Sequence, residues 1–209
     1  MYLQKNDLVL FAGDSITDAG RRVDPAANGG MGMGYAAMAA GILAARYPEL
    51  NLNFRNAGLS GNRLVDLEQR LEADVLAYRP NVVSILIGVN DTWRRFDSGI
   101  DSPIAQFRTG YRRMLRALAD RLDARLVLIE PFMLSVREEM RAWREDLDPR
   151  IAAVRDLARE FRARLLPMDG LFAQAACRQG MTYWLADGIH PTPAGHALIA
   201  EAWVELVSR

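Results

Sequence analysis

The sequence contains very few of the residue types on which several common kinds of active site depend. Cys177 is the only cysteine, so an intrachain disulfide and a multi-cysteine zinc site are both excluded. Lys5 is the only lysine and follows no glycine-rich loop, which excludes a phosphate-binding P-loop. His190 and His196 are the only histidines. Any chemistry that requires an imidazole must therefore use one of these two residues.

Charge and hydropathy exclude several further classes of protein. The 26 basic residues balance 26 acidic ones, so no net field attracts nucleic acid. Half of the residues are hydrophobic, which is typical of a folded chain. The start of the chain lacks a secretory signal, and its longest apolar stretch, residues 33–45, is too short for a membrane span of about 20 residues. We therefore expect a cytoplasmic protein that binds neither membranes nor nucleic acid.

Short apolar runs alternate with longer segments of helical period. Strands are predicted at residues 8–12, 50–55, 82–87, 126–130 and 165–168, and helices at residues 35–46, 64–78, 104–121, 149–164 and 192–207. Strands flanked by helices of this length predict one α/β/α domain over residues 1–209, with a parallel sheet covered on both faces. Ligands bind at the carboxyl ends of the strands in such sheets, so the segments after each strand are the candidates for a site.

Two of these segments contain a potential nucleophile and its base. Ser15 directly follows the first strand, where its hydroxyl could attack a substrate and its own N–H could stabilise an oxyanion. Asp187 precedes His190 by three residues, a spacing that could let the carboxylate orient the imidazole. Each feature also has an ordinary structural interpretation, since serine is a common helix cap and the Asp-His pair could be a surface loop.

Two other segments could supply oxyanion donors. Gly58 follows the second strand, and its backbone N–H could approach a substrate closely. Asn90 follows the strand at residues 82–87 and offers a neutral amide donor. Glycine and Asn-Asp pairs are also common in turns, so neither segment is specific by itself.

Taken together, the four segments resemble the four sequence blocks of the SGNH (GDSL-type) hydrolases, from Gly13-Asp14-Ser15-Ile16 to His190. The resemblance implies a flavodoxin-like three-layer α/β/α sandwich with a central five-stranded parallel sheet. It also implies that Ser15, Asp187 and His190 form the catalytic triad, and that Ser15, Gly58 and Asn90 form the oxyanion hole. Hydrolysis in this family needs no metal and no cofactor. The first block has isoleucine where many members have leucine, an apolar exchange.

The segments around Asn90 and His190 are similar to those of intracellular acetylxylan esterases within this family. That branch removes acetyl groups from xylo-oligosaccharides, which implies a small-molecule ester, an acetylated sugar, as the substrate. Trp93, Tyr183 and Trp184 lie beside the predicted catalytic residues and could contact a sugar or shorten the acyl pocket, or simply pack over the sheet edge. Because related esterases often form oligomers, a homo-oligomer is among the expected assemblies.

Other functions remain open on the sequence. A thioesterase or lysophospholipase would need a long apolar groove, which the methionines of the glycine-rich residues 28–34 could line. A flavodoxin-like module could instead bind a ligand without catalysis, and a metal enzyme could use Asp14, Asp18 and Asp91. We expect His196 to lie on a helix face with its hydrogen bonds satisfied, and Cys177 to be a small buried residue.

Overall fold

The computed structural model describes residues 2–209, which contain a five-stranded sheet with helices on both faces. The strands are β1 (Leu8–Gly13), β2 (Asn53–Gly58), β3 (Val82–Leu86), β4 (Arg125–Ile129) and β5 (Arg164–Leu166). Their spatial order is β2-β1-β3-β4-β5, and each strand pairs with its neighbours in parallel. The predicted three-layer architecture with a five-stranded parallel sheet is therefore confirmed.

The helices form two layers that bury the sheet. They are α1 (Ser15–Asp18), α2 (Tyr35–Arg46), α3 (Leu64–Gln69), α4 (Leu71–Asp74), α5 (Val89–Ser98), α6 (Ile104–Leu122), α7 (Arg144–Glu160), α8 (Met168–Ala176), α9 (Met181–Trp184) and α10 (Pro193–Ser208). Helices α2 and α10 cover one face, and α3, α6 and most of α7 cover the other. Within residues 2–209, no helix combines the length and the apolar character that crossing a membrane requires.

Burial on both faces explains why the strands read as continuous apolar runs. In β1, Val9 and Phe11 point into the core beneath α2 and α10, whereas Leu10 and Ala12 point into the core beneath α3 and α6. Successive side chains of a strand alternate between the two faces, so a strand buried on both sides has no polar side.

Several element boundaries differ from the prediction, each for a local reason. The second strand begins at Asn53 rather than at residue 50, because Pro48–Leu50 forms a 3₁₀ turn and Asn51 adopts a left-handed φ of 46°. The predicted helix at residues 64–78 is divided into α3, α4 and a 3₁₀ turn at Leu76–Tyr78.

Two other predictions, one for a helix start and one for the burial of a side chain, were wrong. Pro149 was expected to begin a helix, but α7 begins at Arg144 and includes Pro149 in its second turn. Cys177 was expected to be buried, yet it is exposed at the end of α8. Helices α5 and α8 occupy segments for which no helix was predicted.

The register of the three central strands brings their carboxyl ends to one level. Gly13 at the end of β1 lies beside Gly58 at the end of β2 and beside Leu86 at the end of β3. The segments that follow these residues therefore begin at the same edge of the sheet, which is where the candidate residues lie.

Candidate active site

The turn between β1 and α1 leaves no room for a side chain at Gly13. A Cβ atom there would lie 2.4 Å from both Leu86 O and Thr17 Oγ1. Asp14 caps α1 by accepting a hydrogen bond from the N–H of Ile16 at 3.0 Å. Ser15 is the first residue of this helix, so the helix itself provides no acceptor for its N–H. The turn thus presents both the hydroxyl and the amide of Ser15 at the sheet edge.

Ser15, His190 and Asp187 form a continuous chain of hydrogen bonds, although 175 residues separate Ser15 from His190. The Ser15 Oγ atom lies 2.9 Å from His190 Nε2, and His190 Nδ1 lies 2.7 Å from Asp187 Oδ2. With the proton of the neutral ring on Nδ1, Nε2 is free to accept the serine proton. The structure therefore brings together the three residues of the predicted triad.

A tight loop before α10 holds the Asp187 and His190 side chains in place. The other Asp187 oxygen accepts the N–H groups of Ile189 and His190 at 2.9 and 2.8 Å. Gly188 adopts a φ of 93°, and a Cβ there would lie 2.4 Å from Leu134 O. Only glycine fits this backbone conformation and this space without strain.

The two charges of this pair stabilise one another. Burial raises the pKa of Asp187, but hydrogen bonds from the His190 ring and from two backbone N–H groups outweigh it and hold the pKa well below its usual range. The hydrogen bond to Asp187 raises the pKa of His190, against the opposing effect of burial. Asp187 is thus ionised at neutral pH and favours the protonated imidazole that forms when a base takes a proton.

Asn90 is the second residue of α5 and is buried at the same edge. Its Nδ2 group donates to Asn62 O at 3.0 Å, which fixes the orientation of the amide. An asparagine amide has two N–H donors, so one remains for a substrate oxygen. The turn into α5 uses Gly88 at a φ of 128°.

Gly58 lies where the backbone of β2 approaches α1 most closely. A Cβ at this position would lie 2.3 Å from the backbone nitrogen of Asp18. The Gly58 N–H donates to Asn56 Oδ1 at 2.8 Å, while Asn56 Nδ2 donates to Thr17 O and Met31 O. The Gly58 amide therefore already has an acceptor, which the sequence did not indicate.

Trp93 is the aromatic residue of the predicted set that lies beside the candidate base. Its ring centre is 5.7 Å from that of His190 and 6.1 Å from that of Trp143. Trp143 in turn stacks on Phe96, with 5.5 Å between centres and 11° between planes. Packing among these rings restrains the indole of Trp93 at the edge of the site.

Tyr183 and Trp184 lie in the short helix α9, before Asp187. Their rings pack edge to face at 5.0 Å, and the Arg178 guanidinium lies 5.4 Å from the Trp184 ring. Tyr183 is 52% exposed. These contacts connect the two rings to each other and to the end of α8, whereas the Trp93 ring packs beside His190 itself.

A buried ionic network beneath α5 was missed by the sequence reasoning. Arg150 is fully buried and donates to Asp146 at 2.9 Å, and the Thr92 hydroxyl donates to the same carboxylate at 2.8 Å. Asp91 accepts the N–H of Leu64 at 3.0 Å and lies 3.9 Å from Arg150 Nη1. This network joins α5 to α3 and α7. The only sequence signal for it was the pairing of Asp91 with Asn90.

Two alternative functions can be compared with the structure. In the part of the chain that the structure describes, no three His, Cys, Asp or Glu side chains are grouped so that they could hold a metal ion. Met31, Met33 and Met38 line a groove of about 630 Å³ between α2 and β2, and neither Ser15 nor His190 lines it. The groove that the methionines line therefore includes neither the candidate nucleophile nor the candidate base.

Comparisons with known proteins agree with this geometry. Residues 11–198 match the GDSL-like lipase/acylhydrolase family. The chain is 33% identical to an acetylxylan esterase from Geobacillus stearothermophilus, over 98% of this chain and 95% of that protein. The crystal structure of a catalytic mutant of an acetylxylan esterase from the same organism superposes with a TM-score of 0.92, at 30% identity, over 100% of this chain and 97% of the other. An α/β hydrolase from the metagenome of Lake Arreo, Spain, superposes with a TM-score of 0.90, at 30% identity, over 100% and 98%.

Proposed function

The chain belongs to the GDSL-like lipase/acylhydrolase family and is a carboxylic ester hydrolase, and we propose that it is a serine esterase that removes acetyl groups from acetylated xylo-oligosaccharides or related sugars. The observation that carries the proposal is the hydrogen-bond chain from Ser15 through His190 to Asp187, at 2.9 and 2.7 Å. The named substrate of the Geobacillus relative supports the choice of acetylated sugars.

The first half of the proposed reaction transfers the acetyl group to the enzyme. His190 Nε2 takes the Ser15 proton as Oγ attacks the ester carbonyl, and Asp187 stabilises the imidazolium. The bond between the acyl carbon and the sugar oxygen then breaks. The sugar oxygen accepts the proton from His190, so the sugar departs as an alcohol. A water molecule repeats these steps on the acetyl-serine, which releases acetate and restores the Ser15 hydroxyl.

Three donors are proposed for the oxyanion of the tetrahedral intermediate. The Ser15 N–H and the second amide hydrogen of Asn90 are available to it. The Gly58 N–H would have to be shared between the oxyanion and Asn56 Oδ1, because it already donates to the latter at 2.8 Å. We therefore expect Gly58 to contribute less than the other two donors.

Trp93 is proposed to limit the length of the acyl group. Its ring is restrained by Trp143 and lies 5.7 Å from His190, where it forms a bulky wall beside the reacting atoms. Tyr183 and Trp184 are proposed to contact the sugar, since aromatic faces pack well against sugar rings and Tyr183 is exposed on the segment before Asp187.

The decisive experiment measures hydrolysis of 4-nitrophenyl esters from acetyl to dodecanoyl, with Ser15→Ala as the inactive control. We expect a steep preference for acetyl that is absent in the variant. The rate of acetate release from acetylated xylo-oligosaccharides, compared with the rate from glucose pentaacetate, then tests which acetylated sugar the enzyme prefers. An optimum at long acyl chains would refute the deacetylase, and full activity of Ser15→Ala would refute the serine mechanism.

A further inference from the structure

Arg70 is a largely buried arginine between α3 and α4, and the proposed reaction does not use it. Its side chain is 14% exposed, and four of its five N–H donors have acceptors. Nε donates to Asn62 Oδ1 at 2.6 Å, and Nη2 donates to Gly13 O at 3.0 Å. Nη1 donates to Ala57 O at 2.8 Å and to Asp74 Oδ2 at 3.0 Å. An ion pair with the partly exposed Asp74 needs one of these donors, so the other three hydrogen bonds call for a different explanation.

The hydrogen bond to Ala57 O fixes the peptide unit that contains the Gly58 N–H. A peptide unit is planar, so a group that holds its carbonyl oxygen also sets the direction of the N–H on the other side. This N–H is one of the three proposed oxyanion donors. The guanidinium charge at the carbonyl oxygen also polarises the peptide, which makes the N–H a stronger donor. Arg70 therefore acts on the Gly58 amide through the peptide bond.

The hydrogen bond to Asn62 leads to a second proposed donor, the Asn90 side chain. Arg70 Nε holds the Asn62 side chain, and the backbone carbonyl of Asn62 accepts Asn90 Nδ2 at 3.0 Å. Both asparagines are buried, at 9% and 3% exposed, so their amides are directed by these contacts rather than by bulk water. Arg70 thus supports the residue whose carbonyl orients the Asn90 amide.

The hydrogen bond to Gly13 O connects Arg70 to the turn that presents Ser15. Gly13 ends β1, and this turn begins there. The same oxygen accepts the N–H of Leu59, in the loop after β2, at 3.0 Å. The planar guanidinium can reach all three carbonyl oxygens because its donors point in fixed, divergent directions, whereas a lysine ammonium is a single point. Each segment that carries a proposed oxyanion donor is therefore tied to one rigid group, directly or through Asn62.

We propose that Arg70 is a positioning residue that holds the Gly58 amide, the Asn90 side chain and the Ser15 turn in the geometry that the oxyanion needs. The inference rests on the proposed function, because it concerns the same oxyanion hole. Arg70 contacts neither substrate nor reacting atoms in this scheme. Oxyanion donors stabilise the transition state only when they already point at the charge that forms, and a displacement of about 1 Å can cost a factor of roughly 100 in rate.

The first test is the conservative variant Arg70→Lys, which keeps the positive charge beside Asp74 and loses the planar fork. Active sites are counted by titration with a fluorophosphonate. We expect kcat for 4-nitrophenyl acetate, per titrated site, to fall roughly 10–100-fold. Because Arg70 acts on the transition state, kcat/KM should fall by the same factor and KM should stay unchanged. A wild-type kcat per titrated site would overturn the proposal, and so would a change confined to KM.

Arg125→Lys is a matched control at the opposite edge of the sheet. Arg125 begins β4 and also joins separate segments, since it donates to Tyr2 O and, at 2.6 Å, to Asp7 Oδ1. Its side chain is 25% exposed. We expect this variant to lose stability in urea and to keep the wild-type kcat per titrated site. If the two lysine variants lose stability and kcat equally, Arg70 is only a structural residue and the proposal is wrong.

A double-mutant cycle tests whether Arg70 acts through Asn90. In the Asn90→Ala background, Arg70→Lys should lower kcat by a smaller factor than it does in the wild type, because one of the donors that Arg70 positions is gone. Equal factors in the two backgrounds would show that the two residues act independently, which would overturn the proposal.

Asn62→Ala is a milder variant that keeps Arg70 and removes only the acceptor of its Nε. The backbone carbonyl that holds Asn90 remains. We expect about a tenfold loss of kcat with KM unchanged, and unchanged kinetics would contradict the proposal even if Arg70→Lys failed to fold. Activity that survives in Ser15→Ala would instead refute the proposed function itself, so the two failures are distinguishable.

Discussion

His196 is the histidine that lies outside the proposed triad, and its protonation state can be tested. It lies on α10, partly buried, and its Nδ1 accepts the N–H of Tyr35, the first residue of α2, at 3.2 Å. Gly34 precedes that helix and has no side chain with which to cap it. A Cβ at Gly34 would lie 2.8 Å from the His196 ring. The hydrogen bond expected of His196 is therefore present, and its donor is the backbone N–H of the first residue of another helix.

The protonation state of His196 follows from this contact. Burial, with the nearby charge of His190 as a smaller cause, lowers the pKa of His196 from 6.5 to about 4. The folded protein thus keeps the ring neutral, whereas the unfolded chain binds a proton below about pH 6.5. The contribution of the neutral His196 ring to the stability of the folded protein is complete above pH 6.5 and is lost as the pH falls to about 4. The loss reaches up to about 3 kcal/mol, at 1.36 kcal/mol for each unit of pKa.

The test compares wild type with His196→Asn by urea denaturation between pH 4 and pH 8. An asparagine oxygen can accept the Tyr35 N–H and does not titrate. We expect the free energy of unfolding of the wild type to fall by up to about 3 kcal/mol more than that of the variant as the pH falls across this range. His190→Asn is the control, since the folded pKa of His190 is raised and its stabilisation is instead lost as the pH rises. Parallel stability curves for wild type and His196→Asn would refute the reasoning.

Four further changes test the site and its support. Asn90→Ala is expected to lower kcat on 4-nitrophenyl acetate by about 10²–10³-fold through loss of an oxyanion donor, and unchanged steady-state kinetics would contradict that role. Gly58→Ala should yield little folded protein, as judged by circular dichroism, because its Cβ would lie 2.3 Å from Asp18 N. Trp93→Ala should extend activity toward longer 4-nitrophenyl esters, and an unchanged chain-length profile would exclude the ring as the limit. Arg150→Met should reduce the free energy of unfolding by about 3–5 kcal/mol in urea, because it removes the arginine that pairs with buried Asp91 and with buried Asp146, which then keeps only Arg95, whereas a stability equal to wild type would show that the network contributes nothing.

The sequence by itself determined the layer architecture and indicated the four segments in which the candidate site residues lie. Helix α2 lies at residues 35–46 as predicted, because an alanine-rich run followed by Pro48 is a local signal. Strand β3 was recognisable because burial on both faces requires an unbroken apolar run. The positions of Ser15, Asp187 and His190 in the chain followed from motif resemblance, since such motifs are short and local.

Tertiary structure decided what each of these residues touches. Helix α5 was not predicted because Asn90 and Asp91 are common in turns, and the Arg150 network that supports them comes from α7, far along the chain. The second strand begins three residues late because a 3₁₀ turn occupies the apolar residues before it. The acceptor of the Gly58 amide depends on the side-chain orientation of Asn56, which periodicity does not encode.

The ionisable groups show most clearly that the local sequence does not determine the contacts of a side chain. Asp14, Asp187, His190 and His196 are all visible in the sequence, yet their pKa values move in different directions. Those directions depend on burial and on partners brought together by the parallel sheet, in the case of Ser15 and His190 across 175 residues. Residue types and their local spacing are properties of the chain, whereas desolvation and electrostatic pairing are properties of its packing. For this reason the sequence indicated the chemistry, and only the fold decided the protonation states through which it would operate.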